Sequence, residues 1–355
     1  MIKVLKVKSL PLIAVLFCLS VINSCKDYAP VPPTIKTELW KGISAAINLL
    51  TTTREGAAGG NYVLGAKAPF IAAITNAQIV YADVKATQPA VTTAVSDLDI
   101  AVGVYKSQKV PAVDPTNLIG HYTFDYIGAT SLGAVVQDYS GNGRTAFLNA
   151  GHSLWGSGVP ALALDRFGAD GTALHFEKGA NVEIPYGADF NPPNISISLW
   201  AKSDINSPIV GNQYLVSMNR RRGYELKIPN TQKASFTINP TENPGSYITE
   251  ESNSLLTQGL WRHIVVTFGG GRMKFYVNGS LLKDVVHSGT VLKQVPSVSL
   301  ILGQDLPTNL YSLDPSHPNY VNSGGYFIGI MDEVRIYKSV LTQDQITSIY
   351  NIEKP

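Results

Sequence analysis

A change of hydrophobic period near residue 117 constrains this chain more than any other feature. Before it, apolar residues recur at helical spacing: Leu39, Ile43, Ala46 and Leu50 step by four, three and four, while Phe70, Ile74, Ala77, Tyr81 and Val84 step by four, three, four and three. Val91, Val95, Leu98, Val102 and Tyr105 repeat the second series. Such stripes place each helix's apolar side chains on one face. After residue 117 the period falls to two. Ile195, Ile197 and Leu199 alternate with Ser196, Ser198 and Trp200, and Ile264, Val266 and Phe268 alternate with His263, Val265 and Thr267. Alternation of this kind marks half-buried strands.

Two regimes in 355 residues predict two domains, since a single core stops growing at a few hundred residues. Over 35–108 the stripes predict three helices. Pro69 and Pro89 fall in first turns, where a backbone N–H is not needed, and the glycine-rich 56–65 stretch separates the first two helices. Short connections favour antiparallel neighbours, which gives an up-down-up bundle whose stripes bury one another. This leaves the bundle as a spacer or accessory adhesion module. Residues 109–117, KVPAVDPTN, hold two prolines and no periodicity and read as a linker. From 118 to 355 many short strands follow without helices between them. Turns are expected at 269–271 and at Asn278 and Gly279. The fold class expected is therefore mainly β, a two-sheet sandwich with an N-terminal three-helix bundle. Trp200 and Trp261 sit in strand patterns and read as core.

The first 24 residues stand apart from both domains. Lys3, Lys6 and Lys8 precede an apolar stretch at 10–22, the pattern of a signal peptide. Cys18 lies inside that stretch, so Cys25 is the single thiol of the exported chain and has no disulfide partner. The sequence VINSC at 21–25 resembles a bacterial lipobox, which makes Cys25 the expected lipidation site and the membrane a partner through a lipid anchor. Residues 25–34, ending in APVPPT, form an extended linker. Lys26 and Asp27 partly resemble the tag of surface-exposed outer-membrane lipoproteins, but Tyr28 departs from it, so the periplasmic and outer faces both stay open. The formal charge of +2 drops to −1 once the three signal lysines are gone, leaving 25 basic against 26 acidic residues. No basic stripe for nucleic acid remains; the run Arg220, Arg221 and Arg222 reads as a solvated turn.

Five blocks in order carry a family resemblance: LIGHYTFD with QDYSGNGRTAFL (118–125, 137–148), ALDRFGADGTALHFEKGANVEIP (163–185), ISISLWAKS (195–203), LWRHIVVTFGGGRMKFYVNGSLL (260–282) and YFIGIMDEVRIYKSVLTQDQITSIY (326–350). Together they resemble the laminin-G-like jelly rolls of the concanavalin A-like superfamily. The resemblance implies a Ca2+ ion tying first and last strands together, with Asp332 as the leading ligand and Asp125, Asp138 and Asn142 beside it. Asp138 and Asn142 equally suit a plain glycine turn. Glucanases of the superfamily carry Glu-x-Asp-x-x-Glu on one strand, and no such strand is present. Glu250 with Glu251, and Asp332 with Glu333, are adjacent and so expected on opposite faces, which a retaining pair cannot tolerate. Binding is then expected in the loops. The long 306–325 connection offers Tyr311, Asp314, His317, Asn319 and Tyr320, and other loops offer Trp155 and Tyr247. These suit stacking on a sugar and bonding its hydroxyls, although a long loop must be polar anyway and its tyrosines suit packing on the sandwich better than direct contact. The expected partner is a carbohydrate or glycoconjugate; the alternative is an adhesion module for a protein partner, and a glycoside hydrolase comes third.

Overall fold

The helical stripes fold as helices α1 (Thr37–Thr52), α2 (Lys67–Ala82) and α3 (Gln88–Ser107) in a computed structural model that describes residues 34–355 except 57–58, 111, 126, 157, 206–210, 242–244, 289 and 293–296. The signal segment 1–24, Cys25 and all of the first linker but Thr34 lie outside the described residues. Leu39, Ile43 and Ala46 meet Phe70, Ile74 and Ala77 and Val91, Leu98 and Tyr105 in one cluster. Tyr62, from the glycine-rich connection, stacks on Tyr105 at 4.2 Å, and Phe70 stacks on it at 4.4 Å. The α2 stripe overruns its helix: Tyr81 and Val84 lie at and beyond the last turn, exposed by 38% and 92%. The expected linker also starts early. Val110 N donates to Asn61 O at 2.7 Å and Lys109 bridges Tyr62, so these two residues complete the bundle.

Among the described residues of the second domain, every strand pairing is antiparallel, in two facing sheets. The first runs Ser280–Val286, Arg272–Val277, Arg262–Gly269, Ile195–Ser203, Gly329–Tyr337, Ala173–Phe176 and Ala161–Ala163, with Leu118–Tyr122 also on Gly329–Tyr337. The second runs Ile248–Leu255, Lys233–Ile238, Tyr224–Ile228, Gln213–Met218, Leu300–Leu302, Asn181–Ile184, Ala146–Asn149 and Val135–Val136. Between them lies one apolar core, with Ile195, Ile197, Leu199, Leu226, Phe236, Phe268 and Phe275 fully enclosed. Both expected hairpin turns are there. Gly270 and Gly271 have φ of 57° and 68°, and Asn278 and Gly279 have 49° and 76°, the paired positive angles that two-residue turns require.

Two departures from simple alternation shape the rest. Ser196, Ser198 and Trp200 point away from the core yet are buried, because α4 (Gln343–Glu353) covers the outer face of the first sheet. Thr342 caps α4 by a reciprocal box with Gln345, Ile346 and Ile349 pack on Val265 and Tyr276, and Glu353 Oε2 accepts from Trp200 Nε1 at 2.8 Å. The second departure is a bulge in Gly329–Tyr337. The register shifts between Asp332 and Arg335, with Glu333 at a φ of 53°. The bulge brings both carboxylates toward Arg166, so adjacency does not send them to opposite faces as expected.

Candidate ligand-binding site

The strand Leu300–Leu302 runs directly into Asp305, which is fully buried. Facing it is the 219–223 turn, where Asn219 and Arg221 adopt φ of 62° and 57°. This backbone sends successive arginines to opposite sides. Arg220 goes inward, where its Nε donates to Asp305 Oδ2 at 2.6 Å and its Nη1 donates to Pro318 O and Tyr320 O at 3.1 Å each. Tyr311 OH donates to Asp305 Oδ1, and the Arg220 guanidinium lies 5.4 Å from the Tyr311 ring. One ion pair thus pins both limbs of the 306–325 loop. Burial pushes the Asp305 carboxyl up, and Arg220 opposes that rise. Arg220 is 7% exposed, whereas Arg221 is exposed and Arg222 half-buried, so the expected solvated turn is there but its first arginine is buried.

Aromatic side chains gather on this frame. Trp155 lies edge-on to Tyr311 at 4.9 Å and tilted to Tyr326 at 5.2 Å, with His152 at 6.0 Å from Tyr311. Gly179 makes room for the indole: a Cβ there would sit 2.7 Å from Trp155 Cε3, and its φ of 77° already suits glycine. Trp155 stays half-buried. Along the adjoining loop Asp314 and His317 are exposed, and Asn319 and Tyr320 half-buried. Local turns order them. Asp314 Oδ1 accepts from Ser316 N and Oγ at 2.8 Å each, which holds its carboxyl below the usual range, and His317 Nδ1 accepts from Asn319 N at 3.0 Å. The loop also bonds to itself through Asn319 Nδ2 and Leu310 O, at 3.1 Å.

Of the seven expected ligand residues, Trp155 and Tyr311 are in ring contact, and Asp314, His317, Asn319 and Tyr320 lie along the same loop as Tyr311. Tyr311 belongs to the foundation of that loop, because its hydroxyl is spent on Asp305. Tyr247 stands apart, beside Arg221 at 5.4 Å on the outward side of the same turn. The sequence reading missed Arg220 and Asp305. The only signal was an aspartate flanked by apolar residues in ILGQDL, at 301–306.

The four expected metal ligands are placed differently. Asp138 spends both oxygens on protein donors: Oδ1 accepts from His121 N (3.0 Å) and Ser140 N (2.8 Å), and Oδ2 from Ser140 Oγ and Arg144 N (2.8 Å each). Asn142 turns its Nδ2 toward Leu118 O, at 2.7 Å. These two residues shape the glycine turn. Asp125 and Asp332 are close enough to repel, but Asp332 Oδ2 is bound by Arg166, whose side chain is 6% exposed. Asp332 Oδ1 has no hydrogen-bond partner, yet it and the Asp125 carboxylate beside a guanidinium fall short of the shell of six to eight oxygens that calcium takes. No group of three or more His, Cys, Asp or Glu among the described residues is arranged to hold a metal. The donor set does not fit the expected cation; Arg166 supplies the positive charge.

Arg166 belongs to a buried network under α4. Its Nε donates to Glu353 O at 2.5 Å, Arg335 binds both Glu333 (2.7 Å) and Glu353, and His121 Nε2 lies 2.8 Å from Glu333. Burial raises the Asp332 carboxyl to about 8 against the pull of Arg166. Burial acts on Glu333 in the same sense, but the hydrogen bond from His121 and the charges of Arg335 and Arg166 take it down to about 2. Elsewhere Glu250 is closed by Lys283 at 2.6 Å and Glu225 by Lys227 at 2.8 Å. Ser198 Oγ and His263 Nε2 lie 2.9 Å apart, but both are fully enclosed. Burial, aided by Arg335 and Arg166, lowers the His263 pKa to about 3. Trp261, expected in the core, is half-buried with Lys202 5.5 Å above its ring, because it precedes the strand Arg262–Gly269.

No curated protein matches the chain. Among solved structures, the chain is similar to domain 4 of AbnA, a GH43 extracellular arabinanase from Geobacillus stearothermophilus in complex with arabinotriose. Identity is 19% over 66% of this chain and 98% of that one, with a TM-score of 0.43. It is also similar to the binding domain of Paraclostridial Mosquitocidal Protein 1, at 13% identity over 67% of this chain, with a TM-score of 0.46. The binding domain of Botulinum Neurotoxin DC in complex with SialylT gives 13%, 67% and 0.46. The match spans about half the length of each toxin domain, 52% and 51%. A family model described as the concanavalin A-like lectin/glucanases superfamily matches residues 176–347, from the end of Ala173–Phe176 into α4. Residues 176–347, in two facing antiparallel sheets with a closing helix, are thus a laminin-G-like jelly-roll domain of the concanavalin A-like superfamily.

Proposed function

We propose that this protein is a non-catalytic, cell-surface lipoprotein that binds a carbohydrate or glycan-bearing partner at the rim around Trp155. Trp155 carries the reading. It is a half-buried residue fixed against Tyr311, which Arg220 and Asp305 hold in turn, and the loop that carries Tyr311 also carries the exposed polar side chains of Asp314 and His317. A rigid aromatic platform beside hydrogen-bonding groups suits a ring with one apolar face and a polar edge. Acylation of Cys25 would place the chain at the outer membrane, with the helical bundle as spacer. The closed carboxylates support a binding role: Asp305, Asp332, Glu333, Glu250 and Glu225 are each paired with a cation.

A glycan array followed by calorimetry tests the reading. Wild type is expected to bind at least one glycan, and Trp155→Ala to weaken it at least tenfold, about 1.4 kcal/mol. A blank array, or unchanged affinity in Trp155→Ala, refutes the assignment and favours a protein partner. Mass spectrometry of the amino-terminal peptide tests the anchor separately.

A further inference from the structure

The bundle carries an exposed apolar patch that its core does not use, gathered at one end. Thr34 Oγ1 donates to Ala86 O and Ile35 N to Gln88 Oε1, each at 2.9 Å. Lys36 Nζ donates to Tyr81 O at 2.8 Å and Asp83 O at 2.6 Å. These bonds bring the start of α1, the end of α2 and the start of α3 together. There Ile35, Trp40, Tyr81 and Val84 are exposed by 69%, 53%, 38% and 92%, and the Trp40 and Tyr81 rings lie 5.4 Å apart. Lys36, Lys41 and Lys85 neighbour them in sequence, against Glu38 and Asp83; Lys41 pairs with Glu38 at 2.8 Å.

This is also the end at which the chain arrives from Cys25. Eight residues, 26–33, separate Cys25 from Thr34. Covalent geometry limits that span to about 30 Å. The 20 residues of α3 run the other way for about 30 Å, toward the sandwich. We infer that this end of the bundle rests in the headgroup region of the bilayer that anchors the chain, with Trp40 and Tyr81 at the interface and Ile35 and Val84 toward the acyl chains. The inference rests on the reading of Cys25 as the acylated residue. Tryptophan and tyrosine favour the interface because their rings are apolar with one polar edge. A tether supplies a high effective concentration, so four side chains suffice where a free protein would not bind. The excess of lysine suits anionic headgroups. The outcome is an upright spacer rather than a loosely tethered one.

The test uses residues 25–355, whose one thiol is Cys25, coupled to a maleimide lipid in phosphatidylethanolamine–phosphatidylglycerol vesicles with or without brominated acyl chains. Trp40 fluorescence is the difference between wild type and Trp40→Phe. Brominated lipid is expected to quench it about twofold or more, and Val84→Ser with Ile35→Ser to reduce that quenching while leaving the thermal melt unchanged. An unquenched Trp40 overturns the inference. So does lipid-free, concentration-dependent burial of Trp40, which assigns the patch to a second copy. Because coupling supplies the anchor, an unquenched Trp40 refutes this inference alone, whereas absence of acyl groups on the native Cys25 peptide refutes the lipoprotein reading and this inference with it.

Discussion

Replacing Arg166 with methionine tests whether the sandwich depends on a protein cation beneath α4. Arg166 and Asp332 have side chains 6% and 2% exposed, and Arg166 also holds the Glu353 carbonyl. Removing one partner of a buried pair leaves an uncompensated charge, which costs about 3–5 kcal/mol. The loss must depend on pH. The Asp332 carboxyl sits at about 8 in the fold against 3.8 when free. Its contribution to stability is therefore complete below its free value and declines as pH rises through about 8. Near pH 5 (about three units below that midpoint) the acid is neutral in both proteins, and Arg166→Met should cost only the carbonyl bond and packing, about 1–2 kcal/mol. Near pH 9 (about one unit above it) ionisation adds at most about 1.4 kcal/mol, because the variant can keep the acid protonated, so the loss should reach about 2.5–3.5 kcal/mol, or about 5–14 °C in a domain of this size. Urea unfolding at both pH values, followed by tryptophan fluorescence, measures it. The double substitution Arg166→Met with Asp332→Leu should recover most of the loss. Equal losses at both pH values, or a double variant no more stable than the single one, would refute the argument.

The remaining predictions concern other parts of the same frame. His263 sits at about 3 in the fold against 6.5 free, so its contribution is present above the free value and lost as pH falls; His263→Gln should remove about 3 kcal/mol of the stability change between neutral and about pH 4, checked by comparing melts with wild type. Chelation by EDTA should leave the melting temperature unchanged, because Arg166 neutralises Asp332 and Asp138 is saturated by N–H and O–H donors; a drop of several degrees would restore the calcium expectation. Gly303→Ala should cost more than about 2 kcal/mol, since φ is 91° and a Cβ would lie 2.4 Å from Phe176 Cδ1, and denaturant midpoints read this directly. Arg220→Met should lower hydrogen-exchange protection over 306–325 while sparing α1–α3, because Arg220 holds Pro318 O and Tyr320 O; unchanged protection in the loop contradicts the pinning role.

By itself the sequence determined the elements and their class. Periods of three to four and of two, proline in first turns and paired positive-φ turn residues are local properties, and each reappears in the fold at α1–α3, Ile195–Ser203, Arg262–Gly269 and both hairpins. The aromatic and polar rim was legible as a long loop rich in tyrosine and asparagine. What holds the rim was not, because Arg220 and Asp305 are 85 residues apart and meet only when the two strands that carry them enter one sheet. Likewise nothing local says that α4 returns over Ser198 and Trp200, or that a bulge at Glu333 turns Asp332 toward Arg166, 166 residues earlier. Charge pairing under burial is a long-range outcome: it requires the fold to remove water first, and only then decides which carboxylate meets a guanidinium and which is left for a ligand.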